Sequence, residues 1–285
     1  MSLRFSAALF ACSALAIAPQ TLSAQTMSPN GTAGRATYAD LADLASEAPL
    51  VIRAKVTDQA QVKAERAPGL APGHARLYVE AQTQALLAGD VPVGERLRYL
   101  VDVPLTAKGK VPKLKKAEMF LFARPVPGRG GEVQLVNSSS QMPYSPALEA
   151  RLRPILAELV APDAPPAVTG VAEAMAVRGT LVGESETQLF LDTEGDGPVS
   201  VSIVRRPGQA PRWGVSWSEI VDQSATAPKR DTLAWYRLAC SLPATLPANA
   251  VLADDPEAKA LAAQDYAFVI EQLGPCRRSA PNSAA

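Results

Sequence analysis

Residues 161–166 read Ala-Pro-Asp-Ala-Pro-Pro, and no regular element can run through them. Proline lacks a backbone N–H and disfavours helix in the residue before it, so three prolines in six residues stop both helices and central strands. The chain is thereby divided, and with about 260 residues left after an N-terminal leader, two folded units are expected. We place a Pro-rich linker at 161–170, between an N-terminal unit at 25–160 and an α+β unit at 171–276.

The leader is read from the first 24 residues. Met1-Ser2-Leu3-Arg4 supplies a positive charge, Phe5 to Ala18 is nearly unbroken apolar chain, and Ser23-Ala24 offers small residues before Gln25. This is the form of a secretory signal peptide, and its apolar core is shorter than the roughly 20 residues that span a bilayer. Cleavage after Ala24 is expected. A lipid anchor on Cys12 is the alternative, but Phe10 in Leu9-Phe10-Ala11-Cys12 is too bulky for the usual pattern. No later segment is apolar and long enough to cross a membrane, so a periplasmic or secreted chain without a membrane span is expected.

Loss of the leader removes one of three cysteines and leaves Cys240 and Cys276. In an oxidising compartment an even pair reads as a disulfide. Two buried thiols, or a catalytic thiol, are the alternatives. The latter would need His74, the single histidine, which lies after the Gly/Pro loop 67–73.

That single histidine also removes most enzyme classes. A Ser/His/Asp triad has no Gly-x-Ser-x-Gly elbow to sit on, and a His/Cys zinc site lacks ligands. Neither phosphate-cradling nor dinucleotide glycine motifs occur. Asp192-Thr193-Glu194-Gly195-Asp196-Gly197 resembles half a calcium loop, but Val199, Val201 and Ile203 then alternate where further oxygen ligands are required. A hairpin turn is the reading preferred there. No catalytic, cofactor-binding or metal-ligating residue is assigned and no cofactor is expected. A hydrolase assembled from carboxylates and serines scattered through the chain is the alternative.

The charges balance, 28 basic against 28 acidic, and hydrophobic residues make up 47%. Such a chain folds around a core and carries no nucleic-acid footprint.

In the first unit, Thr37 to Glu47 places Tyr38, Leu41, Leu44 and Ala45 on one helical face. Strands are predicted at 50–56, 75–87, 95–103, 118–123 and 132–136, with Gly/Pro-bearing connections, which suggests a small antiparallel barrel. This order, with Val91-Pro92-Val93-Gly94-Glu95 before the third strand and Met119-Phe120-Leu121-Phe122 in the fourth, resembles the OB-like barrel of netrin and metalloproteinase-inhibitor modules over residues 37–145. The resemblance implies a barrel commonly used for binding. Animal members use N-terminal cysteines that this chain lacks, so protease inhibition does not carry over.

A helix from Pro146 to Val160 should follow, capped by Ser145, with Pro154 kinking it or splitting it in two. Beyond the linker, strands at 174–181, 186–192, 199–205 and 212–217 form a small sheet whose apolar face needs cover. Helices at 231–240 and from Pro256 to Gly274 supply it. The disulfide requires residues 241–255 to run back alongside the second helix, and residues 277–285 are read as a disordered tail. The fold class expected is therefore α+β, a five-stranded OB-like antiparallel barrel followed by a small antiparallel sheet covered by two disulfide-linked helices.

Two surface features stand out. Lys108, Lys110, Lys113, Lys115 and Lys116 form a basic loop that could grip an anionic envelope component, or could simply be solvated. Arg205, Arg206, Arg212, Trp213 and Trp217 could form a stacking surface, although packing of the tryptophans is the stronger reading. The function expected is binding of a protein or envelope component by an exported, non-catalytic protein.

Overall fold

The computed structural model describes residues 36–195, 197–218 and 224–279. The signal peptide, its cleavage site and Cys12 therefore lie outside the described residues, as does the tail from 280 onward.

The first helix, α1 (Tyr38–Glu47), starts where the sequence provides a reciprocal cap. The Thr37 hydroxyl accepts from the Asp40 N–H at 3.2 Å, and the Asp40 carboxylate accepts from the Thr37 N–H at 2.7 Å. Two donors that a helix start would leave orphaned are thus satisfied.

Six strands follow: β1 (Leu50–Gln61), β2 (His74–Ala88), β3 (Arg96–Pro104), β4 (Glu118–Pro125), β5 (Val133–Leu135) and β6 (Gln141–Pro143). They form one sheet in the order β3-β2-β1-β4-β5, with β6 also paired to β4, and every strand pairing is antiparallel. Period-2 alternation turns Ile52, Ala54 and Val56 of β1, Leu77 and Val79 of β2, and Leu97, Tyr99 and Val101 of β3 into a shared core. Strand β4 reads as a continuous apolar run because both its faces are buried: Met119 and Leu121 join that core, while Phe120 and Phe122 face α1 and the next helix. At the far edge β3 meets the chain again. Arg98 and Glu132 form a parallel bridge, Arg98 N–H donates to the Gly131 carbonyl at 2.8 Å, and Asp102 N–H donates to Ser138 at 2.6 Å.

Helix α2 (Pro146–Leu159) is capped by Ser145, whose hydroxyl accepts from Leu148 N–H at 3.1 Å. It is one helix rather than two pieces. Pro154 lies inside it on the exposed side, where water can satisfy the carbonyl one turn back.

The second sheet contains β7 (Val168–Arg178), β8 (Ser185–Thr193), β9 (Val199–Arg205) and β10 (Arg212–Ser216), all antiparallel, in the order β10-β9-β8-β7. Strand β7 begins at Val168, inside the segment read as linker, because Val168 and Val171 are drawn into the core. One face of the sheet is covered by α3 (Leu233–Ala239) and α4 (Pro256–Leu273), through Trp235, Leu238, Tyr266, Val269 and Leu273. Asp255 caps α4 by accepting from Ala258 N–H at 3.0 Å, and Gly274, at φ +67°, ends it. Cys240 and Cys276 are bonded, with Cα atoms 5.1 Å apart. Between them the chain passes α4, where Tyr266 OH donates to the Pro243 carbonyl at 2.6 Å. It then lies beside β7, where Leu252 N–H donates to Ala174 at 3.2 Å.

The two sheet units pack on each other through their helices. Tyr236 OH donates to Asp43 of α1 at 2.6 Å, Leu233 N–H donates to Glu158 of α2 at 2.6 Å, and the rings of Tyr38 and Trp235 meet edge to face at 6.2 Å. Residues 277–279 differ from the disordered tail expected. Arg278 Nε bonds Asp43 at 2.6 Å and Ser279 N–H reaches Asp40 at 3.1 Å, because the disulfide delivers them onto α1.

Candidate functional site

Lys108, Lys110, Lys113, Lys115 and Lys116 are all exposed on the connection between β3 and β4. The loop is tethered rather than loose. Leu114 is buried in the first core, its N–H donates to the Gln59 side chain, and the Gln59 amide donates to the Pro112 carbonyl at 2.9 Å. Lys115 reaches Asp58 at 3.2 Å, and its bond to that carboxylate holds Asp58 below the ordinary range. The other four lysines make no ion pair among the described residues.

The Arg/Trp cluster is not assembled as a stacking surface. Trp213 and Trp217 pack against the second core. Arg205 turns to Asp265 at 2.6 Å, and Arg206 to Glu184 at 2.8 Å.

A well-developed concavity among the described residues is one that motif reading missed. A cleft of about 1000 Å³ opens on the outer side of β2 and β3, bounded by the end of β1 and the turn after it on one side and by residues 126–138 on the other. Strand alternation builds its floor. Outward-facing Arg76 and Tyr78 of β2 stand opposite Asp102 and Leu100 of β3. Tyr78 is 37% exposed and Leu100 50%. Arg76 and Asp102 form a two-pronged pair, Nε to Oδ1 at 2.7 Å and Nη2 to Oδ2 at 2.8 Å. The Arg76 guanidinium holds the Asp102 carboxyl below its usual range, and Asp102 in turn raises Arg76. Beneath the floor, burial pushes the Tyr99 phenol up, while its OH donates to Gln141 at 3.0 Å.

Five cations line the cleft, Lys63, Arg66, Arg76, Arg98 and Arg129, against two carboxylates, Asp102 and Glu132. Both carboxylates are engaged: Asp102 by Arg76, and Glu132 by Arg98 at 3.6 Å and Arg129 at 3.3 Å. Lys63 and Arg66, on the exposed turn around Ala64–Arg66, make no ion pair among the described residues. The result is a floor of two exposed apolar side chains beside an Arg–Asp pair, with two lining cations that make no ion pair among the described residues. The sequence signal that could have found it is the outward set Arg76, Tyr78, Arg98, Leu100 and Asp102 at spacings of two, on strands already recognised.

Among the described residues no group of three or more His, Cys, Asp or Glu side chains is arranged to hold a metal ion. No helix among them is long and apolar enough to cross a membrane. No known protein-family model matches the chain, and no curated protein matches its sequence.

Proposed function

We propose that the chain is an exported, non-catalytic binding protein whose first sheet is a nearly closed OB-like barrel, and that the cleft beside β3 grips an anionic partner. The observation that carries this is the cleft itself, where Lys63 and Arg66 stand unneutralised over the exposed Tyr78 and Leu100. A surface with spare positive charge attracts anions, and the exposed apolar groups of the floor gain by being covered. The parallel bridge between Arg98 and Glu132 supports a barrel reading, since it brings the two edge strands of the sheet together. The carboxylate paired with Arg76 supports binding over general-acid catalysis. Asp102 is held ionised by Arg76, whereas a general acid at neutral pH needs a raised carboxyl. Export follows from the leader read in the sequence.

The test is association with the cell envelope. Lys63→Glu with Arg66→Glu should abolish capture of the envelope partner in low salt, whereas changing the five loop lysines to Gln should weaken it less. Capture unaffected by the cleft charges would reject the reading. The exported protein isolated for this purpose should begin at Gln25, and a lipid on Cys12 would reject that part of the proposal.

A further inference from the structure

We propose that the Cys240–Cys276 disulfide is a directional site of thiol–disulfide exchange, at which the thiolate of a dithiol reductant bonds Cys240 while Cys276 departs beside Arg278. The inference stands apart from the cleft and rests on what surrounds the two sulfurs.

Both cysteines are half-buried, so neither is sealed in a core, but they do not share one environment. Arg278 Nη1 donates to Cys276 Sγ at 3.3 Å. The guanidinium is fixed for this contact by α1: its Nε reaches Asp43 Oδ2 at 2.6 Å and its Nη2 reaches Oδ1 at 3.0 Å, which leaves Nη1 for the sulfur. Two carbonyls that precede Cys276 are already taken, Leu273 by Trp235 Nε1 at 2.8 Å and Pro275 by Arg230 Nη2 at 3.4 Å. Cys240, in contrast, is the C-cap of α3, where a helix presents the carbonyl end of its dipole and disfavours an anion. The basic residue of that last turn, Arg237, is engaged by the Pro165 carbonyl at 3.3 Å and by the Tyr236 ring.

A disulfide opens when a thiolate attacks one sulfur and the bonding electron pair leaves on the other, and the sulfur that carries negative charge more easily leaves faster. A guanidinium beside a sulfur stabilises its thiolate. Departure of Cys276 is therefore favoured over departure of Cys240. The dithiol, having released one proton to water, bonds Cys240 Sγ as the Cys240–Cys276 bond breaks, and the electron pair passes to Cys276 Sγ beside Arg278. Its second sulfur then loses a proton to water and displaces Cys240, closing the reductant into its own disulfide. Two electrons have passed to the protein, and the two released thiolates take up protons from water. Opening removes the covalent link that delivers residues 277–279 onto α1.

The experiment treats the oxidised full chain with reduced glutathione, a monothiol that stops at the first step. The reaction is quenched with acid, the freed thiol is alkylated with N-ethylmaleimide, and mass spectrometry locates both groups. Glutathione on Cys240 is expected in about tenfold excess over glutathione on Cys276. Arg278→Gln should bring the two adducts near equality, whereas Arg278→Lys, which keeps the charge, should retain a preference for Cys240. An unchanged circular dichroism spectrum confirms that each oxidised variant is folded, and the ratio compares two sulfurs within one sample, so it does not depend on the overall rate of opening. Equal labelling or a preference for Cys276 in the native chain, absence of any adduct without denaturant, or a ratio that Arg278→Gln leaves unchanged overturns the proposal.

Discussion

Asp265 has no exposed surface, and it is held from two strands at once. Its carboxylate accepts from the Thr187 hydroxyl at 2.5 Å and from Arg205 Nε at 2.6 Å, linking α4 to β8 and β9 at positions where the apolar sheet face would otherwise meet the helix. Removing one member of such a set leaves the others buried without a partner, which costs more than the set contributes. Because Arg205 keeps 23% of its side chain exposed, Asp265→Ala should destabilise by about 2–3 kcal/mol, less than a fully buried pair would give. Urea unfolding measures this, and a change under about 0.5 kcal/mol would show the network to be dispensable. Asp102 gives a pH dependence. Its bond from Arg76 lowers it from the ordinary 3.8, so its contribution is fully present above that value. It is then lost as pH falls through the lower folded-state value. Stability should therefore stay nearly level between about pH 7 and 5 and decline below about 4, with part of the decline absent in Asp102→Asn. An acid limb identical in the variant would assign the loss to other carboxylates, of which Asp40, held down by bonds from Thr37 and Ser279 against the effect of burial, is the next candidate.

At the scale of elements, Pro154 shows how context overrides a local rule. A proline at that depth in a helix removes a hydrogen bond, yet α2 continues because Leu152, Ile155 and Leu156 are buried on either side of it. Pro154→Ala should restore the bond at an exposed position and stabilise by up to about 3 kcal/mol. A lowered melting temperature would mean that the ring itself packs usefully. The same contrast explains what was legible. Strands β1 to β5 and β8 to β10 were readable because alternation or an apolar run survives in each, and α4 because Asp255-Pro256 and Gly274 mark its ends. The three-residue β6 (Gln141–Pro143) is too short for any period to show. Residues 168–173 of β7 were hidden, expected only from Ala174, because prolines stand just before them, although the core recruits Val168 and Val171. The disulfide was legible because, with Cys12 set aside in the stretch read as a leader, two cysteines remain to pair. The cleft was not, because its charges come from four separated stretches and become neighbours only through the fold.

At the scale of the whole molecule, the two sheets each have a core, but the helices between them do not divide cleanly. Tyr38 of α1 and Tyr236 of α3 each pack against both the second core and the helical layer over the first sheet. Asp43 receives both Tyr236 and Arg278, and the latter is only two residues beyond Cys276. The disulfide therefore does more than close a loop with a sequence separation of 36. It fixes the exit of α4 so that Arg278 and Ser279 land on α1. Chain entropy alone makes such a loop worth about 3–4 kcal/mol. If the halves were independent, replacing both cysteines by Ser would lower only the transition of the second sheet. The shared tyrosines and the Asp43 cluster predict instead that calorimetry of the native chain shows one transition, and that the double Ser variant lowers it as a whole. Arg278→Ala, which leaves the disulfide intact, should lower the same transition by a smaller amount, on the order of 1 kcal/mol for a partly exposed pair. Two resolved transitions in the native chain, with only the second responding to loss of the disulfide, would show that the contacts at Asp43 and Tyr236 do not couple the two sheets.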